Sequence, residues 1–310
     1  MKTLLVTFGC SWTFGVGVGY VQGMSHDEYI KIAWDHKRCG EFSFRGLLSK
    51  KYNLTNKNFA EGASSNQRQF RYAREFFCSQ QIKQLKNDFD KIIVLWGITS
   101  TARNEMWSLE KGELVNLFYG RPDLKLVKNL IKFSYNHDHE VRLLKTEMDH
   151  WNAFFKSLDI DNLWFDTFNH HNYNLLGIEF KQTYETVKGP DWPSWEDFFQ
   201  KQFDTLDIDQ KIQDEITDID RRWPWSKIIC PVENLMFSRE NPRDLLSKLA
   251  IQNGCQNLDD YYHESNWKID SNRIEYLINK SLLTPYSKHP TDQGHAQIAD
   301  IMSLYIEKLL

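Results

Sequence analysis

Asp90-Lys-Ile-Ile-Val-Leu-Trp-Gly97 is the stretch on which the fold turns. Its apolar run shows no alternation, which predicts a strand covered on both faces, as in a parallel sheet. Gly97 reads as its end. Upstream, residues 2–8 (Lys-Thr-Leu-Leu-Val-Thr-Phe) form a similar run bounded by Gly9, and Asn56 to Ala60 reads as a shorter strand. Residues 40–52 place Phe44, Leu47 and Leu48 on one helical face. The turn from Glu61 to Asn66 opens a helix through Phe77. Strand and helix alternating at this spacing predict βαβ units.

Downstream, residues 139–157 carry Leu143, Leu144, Met148, Trp151, Phe154 and Phe155 at helical spacing, and residues 162–168 read as a fourth strand. Residues 290–310 read as a last helix with Ile298, Ile301, Met302, Tyr305 and Leu309 inward. The expected fold is a three-layer α/β/α sandwich on a mostly parallel sheet. Its core takes in 1–104, 139–169 and 226–310. Residues 105–138 and 170–225 break the rhythm and are expected to be insertions forming a helical, aromatic-rich cap or subdomain. The second contains Pro190-Asp-Trp-Pro-Ser-Trp195 and Arg221-Arg-Trp-Pro-Trp225, and the acidic run 204–220 reads as an amphipathic helix.

With 38 Lys and Arg against 42 Asp and Glu, the charge is -4, which predicts neither nucleic acid nor an anionic membrane as partner. The five cysteines are scattered with no CxxC pair, so reduced thiols are expected and no structural zinc. The N-terminal apolar stretch is too short for a signal peptide or a membrane span. The expectation is a cytoplasmic protein without membrane insertion. Nothing in the composition fixes an oligomeric state.

In open α/β sheets ligands bind beyond the carboxyl ends of the strands. Ser11, Gly62 and Thr99 all fall just past such ends. Gly9-Cys-Ser-Trp-Thr-Phe-Gly15 puts a serine on a tight turn, where its Oγ projects and the next amides face a developing oxyanion. The plainer alternative is a serine that caps a helix. Gly62 leaves its N–H open to a ligand or is a simple turn glycine. Thr99 is a hydroxyl donor or, with Ser100, a helix cap. His289 precedes Pro290, which reads as a helix start, and so sits on an exposed loop. His170-His171 looks metal-like only superficially, because neighbours on a strand face opposite ways, and His137-Asp138-His139 has a metal-like spacing. A solvated loop is the simpler reading of the second.

Taken together, the stretches 3–19, 58–66, 92–103 and 284–302 resemble the four blocks of the SGNH hydrolase superfamily, the GDSL-like lipases and esterases. His289-Pro-Thr-Asp-Gln-Gly-His295 is the most specific of them. The first block also resembles SGNH-like proteins of tailed bacteriophages, pointing to a viral source. The resemblance implies an SGNH/flavodoxin-like sheet, Ser11 as nucleophile, His289 as general base, and the Ser11 and Gly62 amides as oxyanion donors. Three positions depart from the pattern. Cys10 replaces the family aspartate beside the nucleophile, Thr99 stands where an asparagine would donate, and Tyr286 occupies the place of the acid that orients the histidine. A Ser–His dyad is then expected, with the backbone near Tyr286, Asp166 or Asp292 steadying the ring. The implied activity is hydrolysis of a small-molecule or glycan ester without cofactor or metal. The alternatives are a non-catalytic module that binds a glycan or protein, and an O-acyltransferase.

Overall fold

The computed structural model describes residues 1–78, 81–101, 103–108, 113–118, 137–167, 234, 236, 244–255 and 271–310. Their order is β1 (Thr3–Phe8), α1 (Ser11–Phe14), α2 (His26–Ile32), α3 (His36–Phe42), α4 (Phe44–Tyr52), β2 (Thr55–Asn58), α5 (Asn66–Phe77), α6 (Gln81–Asp88) and β3 (Lys91–Ile98). Then come β4 (Arg103–Ser108), β5 (Glu113–Phe118), α7 (His137–Ser157), β6 (Asp161–Asp166), α8 (Leu245–Gln252), α9 (Ser271–Asn279) and α10 (Asp292–Ile306). The insertion expected at 170–225, its Trp-rich clusters, the 204–220 helix and His170-His171 lie outside the described residues. By its internal contacts the chain divides into Met1–His171 with Val232–Leu310, and Asn172–Pro231; every described residue belongs to the first unit. Among the described residues no helix is long and apolar enough to cross a membrane.

Four parallel strands pair in the order β2-β1-β3-β6, and Asp244 adds a single parallel bridge beside Asp166. The alternating side chains of β1, β3 and β6 build two cores. On one face Leu5, Ile93, Leu95 and Phe165 pack with Phe44 and Leu48 of α4, Leu245 and Leu249 of α8, Leu277 of α9, and Ile298 and Met302 of α10. On the other, Phe8, Trp96 and Trp164 share one register row, and their rings stack at 4.4 and 4.7 Å. That spacing is close to the distance between neighbouring strands. Phe70 and Phe77 of α5 and Trp151 and Phe155 of α7 close over this ladder. The result is the three-layer α/β/α sandwich.

The structure corrects several local expectations. Gly97 does not end its strand; β3 runs on to Ile98, because a glycine here makes room for the Thr13 side chain. Thr99 and Ser100 start no helix. The chain turns instead into β4, which pairs antiparallel with β5. Pro290 lies one residue before Thr291, which caps α10 by accepting the Gly294 N–H, so the helix begins at Asp292. Most of this two-stranded ribbon falls within 105–138, expected to be an irregular insertion.

β1 has β2 on one side and β3 on the other. The chain leaves β1 toward one edge and returns on the opposite side. The carboxyl ends of β1 and β3 are therefore the switch point at which open α/β sheets bind ligands.

Candidate active site

α1 starts at Ser11, directly after β1. The Ser11 amide belongs to a first helical turn, where no intrahelical acceptor exists. Cys10, not Ser11, is the N-cap residue, so the serine hydroxyl is not consumed as a cap. The turn is packed from below. A Cβ on Gly9 would lie 2.1 Å from Thr13 Oγ1, and one on Gly97 would lie 2.5 Å from it. The Thr13 side chain thus occupies space that two glycines leave open on adjacent strands. Arg45 holds the other end of α1: its Nε and Nη2 donate to the Thr13 and Phe14 carbonyls, each at 3.1 Å. Burial pushes the Arg45 pKa down to about 10, and the helix's negative end accepts its charge.

His289 reaches the same spot from the far end of the chain. Its loop is cross-tied: the Thr284 N–H donates to the His289 carbonyl at 2.8 Å, and Leu283 bridges Pro290. Ser287 joins hydroxyls with Thr284 and Tyr29. Gly17 lies against this loop with φ +105, and a Cβ there would fall 2.3 Å from the Pro290 carbonyl oxygen and 3.0 Å from His289 Cβ. Only a glycine admits that approach. The outcome is a separation of 2.6 Å between His289 Nε2 and Ser11 Oγ, across 278 positions of sequence.

The other nitrogen of the ring is different. Nδ1 is buried and has no hydrogen-bond partner. Asp292, expected as one orienting acid, accepts from the Gly19 N–H at 2.7 Å and so fastens the glycine loop to α10. Asp166, the other, sits buried at the end of β6. Neither hydrogen-bonds Nδ1, and among the described residues no other side chain does. Tyr286 turns outward instead. It is 41% exposed, donates to the Met24 carbonyl at 2.7 Å and packs its ring on Tyr20, Tyr29 and His26. Burial first, and then the Arg103 charge, lower the His289 pKa to about 4, and hydrogen bonding with the Ser287 backbone opposes them. The imidazole is therefore neutral at pH 7, the state a base requires.

The remaining sequence candidates flank this pair. The Glu61 N–H donates to the Gly9 carbonyl at 3.2 Å, which brings the Gly62 turn beside the start of α1. The Trp34 ring lies where a Gly62 Cβ would be, 2.3 Å from the nearest ring carbon. Thr99 is fully buried, with an Oγ1 that has no partner. Asn66 brackets the Thr99 backbone, accepting its N–H at 3.0 Å and donating to its carbonyl at 2.9 Å. Asn66, Arg45 and Arg103 were not singled out by sequence. A strand end followed within a few residues by an arginine was the available signal for Arg103. Among the described residues no three His, Cys, Asp or Glu side chains gather as a metal site; the 137–139 stretch is the start of α7.

No family model and no curated protein matches the chain. Among solved structures it aligns with a protein described as lipolytic, of the G-D-S-L family, from Desulfitobacterium hafniense DCB-2. The identity is 13% and the TM-score 0.24, over 63% of this chain and 93% of that one. A likeness at that level carries no argument about activity or source.

Proposed function

We propose that the protein is a serine ester hydrolase that works with a Ser11–His289 dyad. The single observation that carries this reading is the 2.6 Å contact between Ser11 Oγ and His289 Nε2 at the carboxyl edge of the sheet. Ser11 Oγ attacks the ester carbonyl carbon while Nε2 takes its proton. The Ser11 and Gly62 amides face the oxyanion, with the Thr99 hydroxyl as a third donor if the turn opens toward it. The tetrahedral intermediate expels the alcohol, which leaves with the proton from Nε2. Water then enters by the same route, and the acid departs as Ser11 Oγ regains its proton.

This cycle needs the proton on Nδ1 in the resting state. A buried N–H without an acceptor costs about 1–3 kcal/mol. In a triad hydrolase, loss of the correct tautomer costs about 10⁴-fold in rate. The dyad is accordingly a slow catalyst. The partnerless Nδ1 is also the observation that favours the second reading, a binding module that keeps the pocket without turnover.

A fluorophosphonate probe separates the two. The expected result is covalent labelling of the native protein at Ser11, none in Ser11→Ala, and a rate at least about 10³-fold lower in His289→Ala. Absence of labelling in the native protein, under conditions where a known serine esterase reacts fully, rules out the hydrolase. Release of free acid rather than an acylated second alcohol distinguishes it from an acyltransferase.

A further inference from the structure

Tyr29 is 1% exposed and is the one buried residue of α2. Its phenol hydrogen-bonds Ser287 Oγ across 258 positions of sequence. Ser287 Oγ in turn lies 2.9 Å from Thr284 Oγ1, which accepts the Ser287 and His289 N–H groups, each at 3.4 Å. Three hydroxyls thus run from the middle of α2 to the backbone of His289. We propose that Tyr29 is a positioning residue for His289. Through Ser287 and Thr284 its phenol fixes the loop that aims the imidazole at Ser11, and so performs the orienting part of a triad acid's work. The proposal rests on the hydrolase reading above.

The need for such a brace follows from the ring's surroundings. In a triad, the acid's hydrogen bond to the second imidazole nitrogen sets the ring's orientation. Among the described residues no side chain reaches Nδ1 of His289. The aim of Nε2 is then decided by the backbone from which the ring hangs, and that backbone is held in an unfavourable shape. Lys288, directly before His289, has φ +59. A left-handed conformation costs a residue with a side chain about 1–2 kcal/mol, and it persists where the surroundings over-determine it. Part of the restraint is local. The Lys288 N–H donates to the Thr284 carbonyl at 3.2 Å, its Nζ donates to the Pro285 carbonyl at 2.8 Å, and the Thr284 N–H donates to the His289 carbonyl at 2.8 Å. These three bonds lie within residues 284–289 and would travel with the loop if it moved.

Two phenols tie the loop to the region of α2. Tyr286 donates to the Met24 carbonyl at 2.7 Å in an exposed position, where water competes for both groups. The Tyr29 hydroxyl makes its bond from a buried ring, which packs on the rings of Tyr20 and Tyr286 at 6.0 and 5.9 Å. Burial raises the Tyr29 pKa, so the phenol stays neutral at pH 7. Hydroxyls linked in a chain polarise one another away from water, and removing one end weakens the whole chain.

The fluorophosphonate probe reads the consequence. Labelling is followed against probe concentration, which gives a limiting rate and a half-saturating concentration. Tyr29→Phe keeps the ring and removes only the hydroxyl. It is expected to lower the limiting rate about 10-fold and to leave the half-saturating concentration within about twofold, because a misaimed base slows attack without altering binding. Ser287→Ala, at a half-buried position, should do the same, and it carries the test if Tyr29→Phe folds poorly. The double variant should label within about twofold of either single one, since both remove the same path. Thr284→Val should slow labelling, and Thr284→Ser, which keeps the hydroxyl, should label close to the native rate. Tyr286→Phe removes the exposed bond to Met24 and should label as the native protein does. Labelling of Tyr29→Phe at the native rate overturns the proposal. So do effects of Tyr29→Phe and Ser287→Ala that multiply in the double variant. A Tyr286→Phe as slow as Tyr29→Phe also overturns it, because the cause would then be general loosening of the loop. No labelling of native Ser11 overturns the hydrolase reading and this proposal with it.

Discussion

His289 shows how burial and charge set the working range of a single side chain. An ordinary histidine loses its basic form below about pH 6.5, whereas this one is held neutral down to about pH 4. A base with a depressed pKa keeps its free form in acid, at the price of weaker proton affinity. For a neutral ester, kcat/KM is expected to stay level from about pH 8 to about pH 5 and to fall with a midpoint near 4. A pH–rate profile measures this directly, and a midpoint at the ordinary histidine value would remove an imidazole depressed by burial and the Arg103 charge from the mechanism. The pairing of Ser11 with His289 was legible in the sequence because each sits in a short motif. The identity of the ring's second partner was not. Tyr286 stands at the expected position of an acid, and only the packing of its ring on Tyr20, Tyr29 and His26 explains why it faces away.

Secondary-structure elements carry these side chains, and the joints between them matter more than their interiors. β1, β3 and β6 are apolar runs that any reading of pattern finds. The joint at Gly17 is less visible: a left-handed residue that lets the His289 loop settle on the loop following α1. Gly17→Ala is expected to destabilise the protein by about 2 kcal/mol or more and to slow probe labelling, because the added Cβ pushes His289 away from Ser11. Gly23→Ala serves as the control. Its φ is +90, but a Cβ there meets nothing within 4 Å, so it reports backbone strain alone. Equal effects of the two on urea midpoint and on labelling would show that the close approach at Gly17 is unimportant. The end of β3 was misjudged for a related reason. Gly97 looks like a terminator in one dimension, and in three it is the space that receives Thr13.

In the folded protein as a whole, acid should be destabilising through its buried histidines. His295 is fully buried, its Nδ1 accepts from the Phe44 N–H at 3.4 Å, and burial followed by the His289 and Arg45 charges lowers its pKa to about 3. The folded-state values of His289 and His295 both lie below the unfolded one. Between about pH 6.5 and those lower values the unfolded chain binds protons that the native state refuses. Stability is therefore fully present above about pH 6.5 and is lost as pH falls, by up to about 1.4 kcal/mol per pH unit for each ring. Denaturant unfolding at pH 7 and pH 5 should show a smaller loss in His295→Phe than in the native protein. An equal loss would mean that His295 is protonated without unfolding.

Local pattern alone determined that this chain makes a parallel, doubly covered sheet and that a serine and a histidine stand just past structured segments, because strand burial and turn chemistry are written in runs of a few residues. Tertiary structure alone decided that the two meet at 2.6 Å, that the Arg103 charge bears on the ring, and that among the described residues no acid reaches its other nitrogen. Those are properties of approach between segments far apart in sequence. They depend on the glycine joints, the strand order and the space left by neighbouring side chains, and no short run of residues encodes them.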